Sequence, residues 1–149
     1  MAFALIFAQG FALSKGQAAH SESLPDLVPI LSKPMNGEVT VKNLGTGEAG
    51  PSRLTLDCQK EGAAPESGGC PDLPPEFASA YFDPAFPMNA TIKVPALAPG
   101  ATFKHTLAFW ELLHWPRGKY KFTAIADAAH EINESRRSNN TATSTLTIP

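Results

Sequence analysis

The sequence has no excess of basic residues. Its 149 residues include 12 Lys and Arg against 14 Asp and Glu, which gives a formal net charge of −2. The only adjacent basic pair is Arg136-Arg137. Because a protein that neutralises phosphates presents a clustered positive surface, nucleic acid is excluded from the expected partners.

The sequence also lacks the motifs of the common enzyme classes. It contains no HExxH, GxSxG or P-loop pattern. No two carboxylates are paired within an apolar segment, where their pKa values would be driven apart. We therefore expect no catalytic residue and no cofactor. A small enzyme is kept as a third alternative because a fold does not determine a function.

Only two cysteines are present, Cys58 and Cys70. They bracket a segment of turn-forming residues in which nothing would pack. A zinc site needs four ligands, and no histidine is spaced to complete a set with them. In an exported protein such a pair forms a disulfide that pins a loop. The sequence therefore predicts one disulfide here, rather than a metal site or a catalytic thiol.

No uninterrupted apolar run in the sequence is long enough to span a membrane. Residues 1–19 are largely apolar and end in small residues, but Gln9 and Gly10 interrupt them. This stretch resembles a secretory signal peptide, although no Lys or Arg precedes its apolar region. We predict an exported protein, secreted or periplasmic, with no membrane span in the mature chain. The alternative is a frayed or locally helical N-terminus on a cytosolic protein.

Proline and glycine, by contrast, are abundant, with 14 and 11 residues spread without a period. They leave few windows for long helices and favour short strands joined by turns. The first strand-like segment is punctuated by prolines, which confines it to a sheet edge. The sequence predicts one all-β domain, an antiparallel sandwich of about seven strands. The expected strands are 25–31, 38–44, 53–57, 90–94, 102–110, 119–126 and 143–148.

Alternation within these segments identifies a core. Every second residue of a strand faces the same side, and the apolar sides predict one core between two sheets. His105 shares the apolar face of its strand, where a hydrogen-bonded core histidine is expected. The expected core residues are Val39, Val41, Leu54, Leu56, Phe103, Leu107, Phe109, Tyr120 and Phe122.

Residues 58–90 form an insertion that is rich in Pro and Gly and longer than most loops. Aromatic residues in the insertion and around residues 110–115 offer a surface for stacking on sugar rings or for gripping an extended peptide. The binding candidates are Tyr81, Phe82, Phe86, Trp110 and Trp115. For the two tryptophans the sequence favours the alternative that they seal one end of the sandwich.

A polar corner follows the sixth strand. Its oxygen donors are Asp127, Glu131, Glu134, Asn139 and Asn140, and calcium accepts hard oxygen ligands of this kind. Their spacing does not match an EF-hand loop, which has a central glycine. Turn chemistry explains the same residues, since Asn and Asp side chains bond nearby backbone amides. We expect a structural corner, with calcium binding as the alternative.

Three parts of the sequence together resemble the CARDB family, the cell-adhesion-related domain found in bacteria. They are Asn43-Leu44-Gly45, residues 97–100 and residues 134–140. The resemblance covers residues 24–149 apart from the insertion, and it implies an immunoglobulin-like sandwich without catalytic activity. The expected function is an exported interaction or adhesion module that binds protein or polysaccharide. The alternative from another class is a calcium-stabilised structural spacer.

Overall fold

The computed structural model describes residues 22–32 and 34–149. The predicted signal peptide, residues 1–19, lies outside these residues. The described part of the chain contains seven strands, one α-helix and a 3-10 helix at Trp110–Leu112. The strands and the α-helix are β1 (Leu27–Leu31), β2 (Glu38–Asn43), β3 (Ser52–Lys60), α1 (Pro75–Tyr81), β4 (Ala90–Val94), β5 (Thr102–Thr106), β6 (Gly118–Ile125) and β7 (Thr141–Ile148).

Two antiparallel sheets form the sandwich. One has the order β1-β2-β5 and the other the order β4-β3-β6-β7. The predicted fold class is confirmed, with α1 as an addition that the sequence did not predict. β1 lies at a sheet edge, as its proline requires, because Pro29 has no amide to donate to a second neighbour.

The core lies between the two sheets. Eight of the nine expected core residues are buried, with Tyr120 and Phe122 of β6 among the largest buried side chains. Phe103 differs: it is only half-buried, on the edge strand β5. The alternation of apolar residues therefore located the core.

Asn43 joins segments that are distant in the chain. Its side chain is fully buried. Its Oδ1 accepts hydrogen bonds from the backbone amides of Asp26 and Gly45. Its Nδ2 donates to the carbonyls of Gly47 and Leu97. Each hydrogen-bonding direction of the carboxamide is thus used, and two of the sequence motifs meet at this residue.

The fifth strand is shorter than the sequence predicts. It ends at Thr106 rather than at residue 110, because the chain turns where the Leu107 amide donates to the Gly37 carbonyl. Trp110 then packs directly on Gly37, where a Cβ would lie 2.5 Å from the indole Cγ. Leu107 and Phe109 remain buried after the turn.

The third strand is longer than predicted, since β3 runs to Lys60 and includes Cys58. Cys58 and Cys70 form the predicted disulfide, with 6.1 Å between their Cα atoms. The disulfide joins the end of a core strand to the segment that leads into α1. The insertion is therefore fastened to the sandwich at its start.

Candidate binding cleft and polar corner

A cleft of about 340 Å³ lies between α1 and the two sheet edges beside it. One wall is the end of α1 with Phe82 and Asp83, and the other is formed by β4 together with His105 of β5. Arg53 of β3 also lines it. We call this feature the α1 cleft. It is the place where the insertion meets the edges of both sheets.

The local sequence explains why a helix forms here. Pro75 occupies the first helical position, where its missing amide hydrogen costs no hydrogen bond. The negative charge of Glu76 in the first turn interacts favourably with the helix dipole. Phe77 and Tyr81 are four residues apart and so share one helix face. That face packs on Phe109, whose ring centroid is 6.1 Å from that of Phe77 and 5.0 Å from that of Tyr81.

Tyr81 anchors the cleft floor. Its hydroxyl lies 2.9 Å from Nε2 of His105 and accepts a 3.3 Å hydrogen bond from the Ala108 amide. One of the two groups donates a hydrogen bond to the other, and the tautomer of the imidazole decides which. Burial lowers the pKa of His105, which favours the neutral ring.

An ion pair holds the segment after the helix. Asp83 contacts the Arg53 guanidinium at 2.7 Å, and Arg53 also contacts Glu131 at 2.7 Å. The Arg53 hydrogen bond, with a second from the Ala85 amide, lowers the pKa of Asp83. Phe86 lies beneath the guanidinium, with its ring centroid 5.6 Å from Cζ. Segment 82–86 is thereby fixed on the outer face of β3.

Phe82 is left at the mouth of the cleft with 58% of its surface exposed. It directly follows α1, where the helix gives way to extended backbone. The preceding helix and the following ion pair of Asp83 together fix its backbone. A large apolar ring is therefore held out to solvent beside polar groups.

Sequence reasoning did not select Thr91 and Lys93, which also line the cleft. Alternation in β4 places them on the face opposite Ile92, which is buried in the core. Thr91 is buried, and its Oγ1 has no hydrogen-bond partner among the described residues. The alternation was visible in the sequence, but the covering of this outer face by the insertion was not.

The five predicted binding residues divide into two groups. Tyr81, Phe82 and Phe86 are gathered around the α1 cleft and Arg53, although Tyr81 is itself part of the core. The two tryptophans pack on each other, with 4.9 Å between the ring centroids of Trp110 and Trp115. Both rings also contact Phe122. Their place against the core fits the sealing interpretation. A binding role for any of the five stays a prediction.

In the polar corner, Asp127 organises the turn after β6. It is buried and adopts a φ of 47°, a left-handed conformation that Asp tolerates. Its two carboxylate oxygens accept the amides of Glu131 at 2.8 Å and Ile132 at 3.1 Å. The Arg137 guanidinium donates to the same carboxylate at 3.0 Å.

Glu134 is the second buried carboxylate of the corner. Its Oε1 accepts the Leu27 amide at 2.8 Å, and its Oε2 accepts Nδ2 of Asn140 at 2.5 Å. Burial raises the pKa of Glu134, and these hydrogen bonds offset only part of the rise. The side chain connects the start of β1 to the corner that precedes β7.

The amide oxygens of the corner are bonded less completely. Asn139 donates its Nδ2 to Asp26 at 2.8 Å, while Oδ1 of Asn139 and Oδ1 of Asn140 are buried without a partner in the described part of the chain. Within residues 22–32 and 34–149, no three His, Cys, Asp or Glu side chains are grouped to hold a metal ion. The bonding of Asp127 and Glu134 fits the structural interpretation, and calcium binding stays an alternative proposal.

Comparison with known proteins adds a family match. The CARDB family model matches residues 77–144, beginning within α1. A CARDB domain from Pyrococcus furiosus, crystallised in complex with di-metal ions, has 18% identity and a TM-score of 0.52, over 85% of this chain and 96% of that one. A domain of a proposed cell surface protein from Methanosarcina acetivorans has 18% identity and a TM-score of 0.53, over 85% and 93%.

At such identities the two solved structures establish the fold alone. No curated protein matches the chain. Among the described residues, no helix is both long enough and apolar enough to cross a membrane.

Proposed function

We propose that the chain is a CARDB-like, non-catalytic interaction module, exported to the periplasm or the cell exterior. Two findings support this: the CARDB family model matches residues 77–144, and a solved CARDB domain shares the fold. The module binds a protein or a polysaccharide through the α1 cleft. The name of the Methanosarcina acetivorans relative, a proposed cell surface protein, supports the location. Recognition commonly resides on loops that a rigid scaffold presents, and the insertion is such a segment.

The observation that carries this proposal is the exposure of Phe82 on a fixed backbone. The Asp83–Arg53 ion pair and the Cys58–Cys70 disulfide both restrain the insertion before any ligand arrives. A contact surface that is ordered in advance loses less conformational entropy on binding. Because the Phe82 ring is mostly exposed, it adds little to the stability of the fold, and it offers a contact surface to a ligand.

The bonding within the cleft supports a non-catalytic role. Asp83 is held in an ion pair, and His105 is occupied by the Tyr81 hydroxyl. General acid–base catalysis needs a group that is free to exchange a proton with a substrate. Asp83 and His105 are instead committed to contacts that shape the cleft.

The test compares Phe82→Ala with Leu44→Ala. Leu44 is 55% exposed and lies in the turn after β2, so it matches Phe82 in exposure but not in place. The immobilised full chain and both variants are presented to glycan and peptide arrays. We expect the signal of the wild type to fall in Phe82→Ala and to persist in Leu44→Ala. Equal signals from all three proteins would show that the cleft is not the binding surface.

A calcium-stabilised spacer is the second candidate. It is favoured by the buried Oδ1 atoms of Asn139 and Asn140, which have no hydrogen-bond partner among the described residues and lie in a corner with two buried carboxylates. The test measures thermal unfolding with calcium and with a chelator, for the wild type and for Asn139→Ala. A structural corner predicts the same loss in both conditions. A melting temperature that rises with calcium, and no longer does so in Asn139→Ala, would establish the spacer.

A further inference from the structure

We infer that Asn36 is a site of spontaneous covalent modification. In the folded protein it deamidates through a succinimide formed with Gly37, and the isoaspartate product disturbs the packing of Trp110. The two residues lie in the connection between β1 and β2, where none of the described residues, 32 and 34–37, belongs to a helix or strand. Asn36 is exposed to water. It is also the only asparagine of the sequence that precedes a glycine.

The reaction needs no reactant other than water. The Gly37 amide loses its proton to the solvent, and its nitrogen attacks Cγ of Asn36. The bond between Cγ and Nδ2 then breaks, and the side-chain nitrogen takes up a proton and leaves as ammonia. Water opens the resulting succinimide at one of its two carbonyls. Attack at Cγ gives aspartate, whereas attack at the backbone carbonyl gives isoaspartate, in which the main chain runs through Cβ and Cγ.

The Gly37 amide is well placed to be the nucleophile. Within residues 22–32 and 34–149 it donates to no backbone carbonyl, so no backbone hydrogen bond has to break before the attack. Glycine also has no Cβ that would crowd the approach of its nitrogen to the carboxamide. Another residue would be strained at this position, because Gly37 has a φ of 80°.

Ser32 polarises the group that is attacked. Its hydroxyl donates a hydrogen bond of 2.9 Å to Oδ1 of Asn36. A donor at this oxygen stabilises the negative charge that develops on it in the tetrahedral intermediate. Ser32 is itself held in place, because its carbonyl accepts the Ser144 hydroxyl at 2.8 Å. The fold therefore promotes attack on the Asn36 carboxamide.

The packing around Gly37 makes the isoaspartate product costly. The Gly37 carbonyl accepts the Leu107 amide at 2.7 Å, and a Cβ on Gly37 would lie 2.5 Å from Cγ of Trp110. Isoaspartate adds one methylene to the main chain immediately before Gly37. It therefore displaces Gly37 from Trp110, whose ring packs on Trp115. Aspartate leaves the main chain unchanged, so only one of the two products disturbs this part of the core.

Asn133 provides a comparison within the same chain. Like Asn36, it is exposed and lies outside the helices and strands. Its next residue, however, is the buried Glu134, whose side chain bonds the Leu27 amide and Nδ2 of Asn140. A succinimide at Asn133 would have to form with the amide of a larger and more constrained residue. We therefore expect Asn133 to stay intact while Asn36 reacts.

The experiment incubates the full chain under native conditions for several weeks, at neutral and at mildly alkaline pH, and maps the products by proteolysis and mass spectrometry. We expect aspartate and isoaspartate at position 36, each with the mass change of NH2 to OH, and an unchanged Asn133. The rate should rise with pH, because the deprotonated amide is the attacking group. Asn36→Gln is the matched control and should not react on this time scale, since a longer side chain loses more rotational freedom on ring closure.

Ser32→Ala tests the contribution of the fold. We expect this substitution to slow the reaction about threefold in the folded protein, and to leave the rate unchanged in urea, where Ser32 and Asn36 are no longer held together. An unchanged or faster reaction in the folded Ser32→Ala variant would overturn the inference. It would also be overturned if Asn36 stayed intact in the folded chain under conditions in which the unfolded chain reacts.

The melting temperature tests the effect on packing. Freshly purified Asn36→Asp has the charge of both products with an unaltered main chain. The isoaspartate fraction of aged wild-type protein should melt about 5 °C below this variant, and its tryptophan fluorescence should change. Equal melting temperatures would show that the added methylene does not disturb Trp110, and this part of the inference would fall.

Discussion

The carboxylate of Glu134 accepts a hydrogen bond of 2.8 Å from the backbone amide of Leu27, 107 residues earlier in the chain. Nearby, Asn139 donates to Asp26, and the Ser135 amide donates to the Pro25 carbonyl. The polar corner therefore holds the start of β1, an edge strand of one sheet, against the connection between β6 and β7 of the other. These hydrogen bonds give the polar corner a structural role that requires no metal.

Removing the Glu134 carboxylate should destabilise the protein. Glu134→Ala leaves the buried Leu27 amide without its side-chain acceptor. It also removes one of the two acceptors of the Asn140 Nδ2, the other being the Ala126 carbonyl. Because each buried donor left unbonded costs about 1–3 kcal/mol, we expect a loss of roughly 2–4 kcal/mol in the free energy of unfolding. Chemical denaturation at neutral pH measures it. A loss below about 0.5 kcal/mol, typical of surface sites, would mean that the hydrogen bonds of Glu134 contribute little to stability.

Glu134 should also make stability depend on pH in a specific direction. Burial raises the pKa of Glu134 in the folded state, so its contribution to stability is full below the unfolded pKa of about 4.3. That contribution is lost as the pH rises through the folded pKa. Relative to Glu134→Gln, the wild type should therefore lose stability from pH 4 upward. If the wild type instead becomes more stable relative to Glu134→Gln as the pH rises, the attraction of Arg137 outweighs burial in setting the pKa of Glu134.

A methyl group at Gly45 should be tolerated poorly. A Cβ there would lie 2.3 Å from the Leu24 carbonyl oxygen and 2.6 Å from the Asp26 nitrogen. Gly45→Ala should cost about 1–3 kcal/mol by overpacking. Gly50→Ala is the matched control, since the nearest atom to its Cβ would be 3.8 Å away. Urea denaturation of the two variants should separate them, and equal stabilities would contradict the close approach.

Much of this fold could be predicted from local pattern. The alternation of Val39 and Val41 located the second strand, and that of Tyr120 and Phe122 located the sixth. These predictions succeeded because a strand with one buried face requires a period of two. The disulfide followed from there being only two cysteines, Cys58 and Cys70, in a chain predicted to be exported.

The cleft could be predicted only in part. The aromatic residues of the insertion suggested contacts, and Pro75 with Glu76 was an overlooked signal for the start of a helix. The pairing of Arg53 with Asp83 across 30 residues, and that of Tyr81 with His105 across 24, has no local signal. Such contacts depend on where the insertion folds back onto the sandwich, which tertiary packing decides.

Phe122 should be among the costliest residues of the core to truncate. Phe122 is 2% exposed, and its ring packs against both tryptophans, with centroid distances of 5.5 Å to Trp110 and 5.7 Å to Trp115. Phe122→Ala should cost roughly 3–5 kcal/mol through lost burial and an unfilled cavity. Ile125→Ala, on an exposed position of the same strand, should cost under about 1 kcal/mol. Equilibrium denaturation measures both, and similar costs would refute the assigned faces of β6.

The last prediction concerns His105. Burial lowers the pKa of its imidazole, so the folded state favours the neutral ring. Its contribution to stability is therefore full above the unfolded pKa of about 6.5 and is lost as the pH falls towards the folded pKa. The charged side chains that line the same cleft are Arg53, Lys93 and Asp83, and Asp83 is paired with Arg53.

The measurement compares the wild type with His105→Gln, which keeps a polar side chain beside the Tyr81 hydroxyl but does not titrate. Other groups that titrate in both proteins contribute equally, so the difference in unfolding free energy isolates His105. This difference should move against the wild type as the pH falls from 7.5 to 5.5, by no more than about 1.4 kcal/mol per pH unit for one proton. A difference that stays constant would mean that the ring titrates equally in both states. The lowering of the His105 pKa by burial would then be wrong.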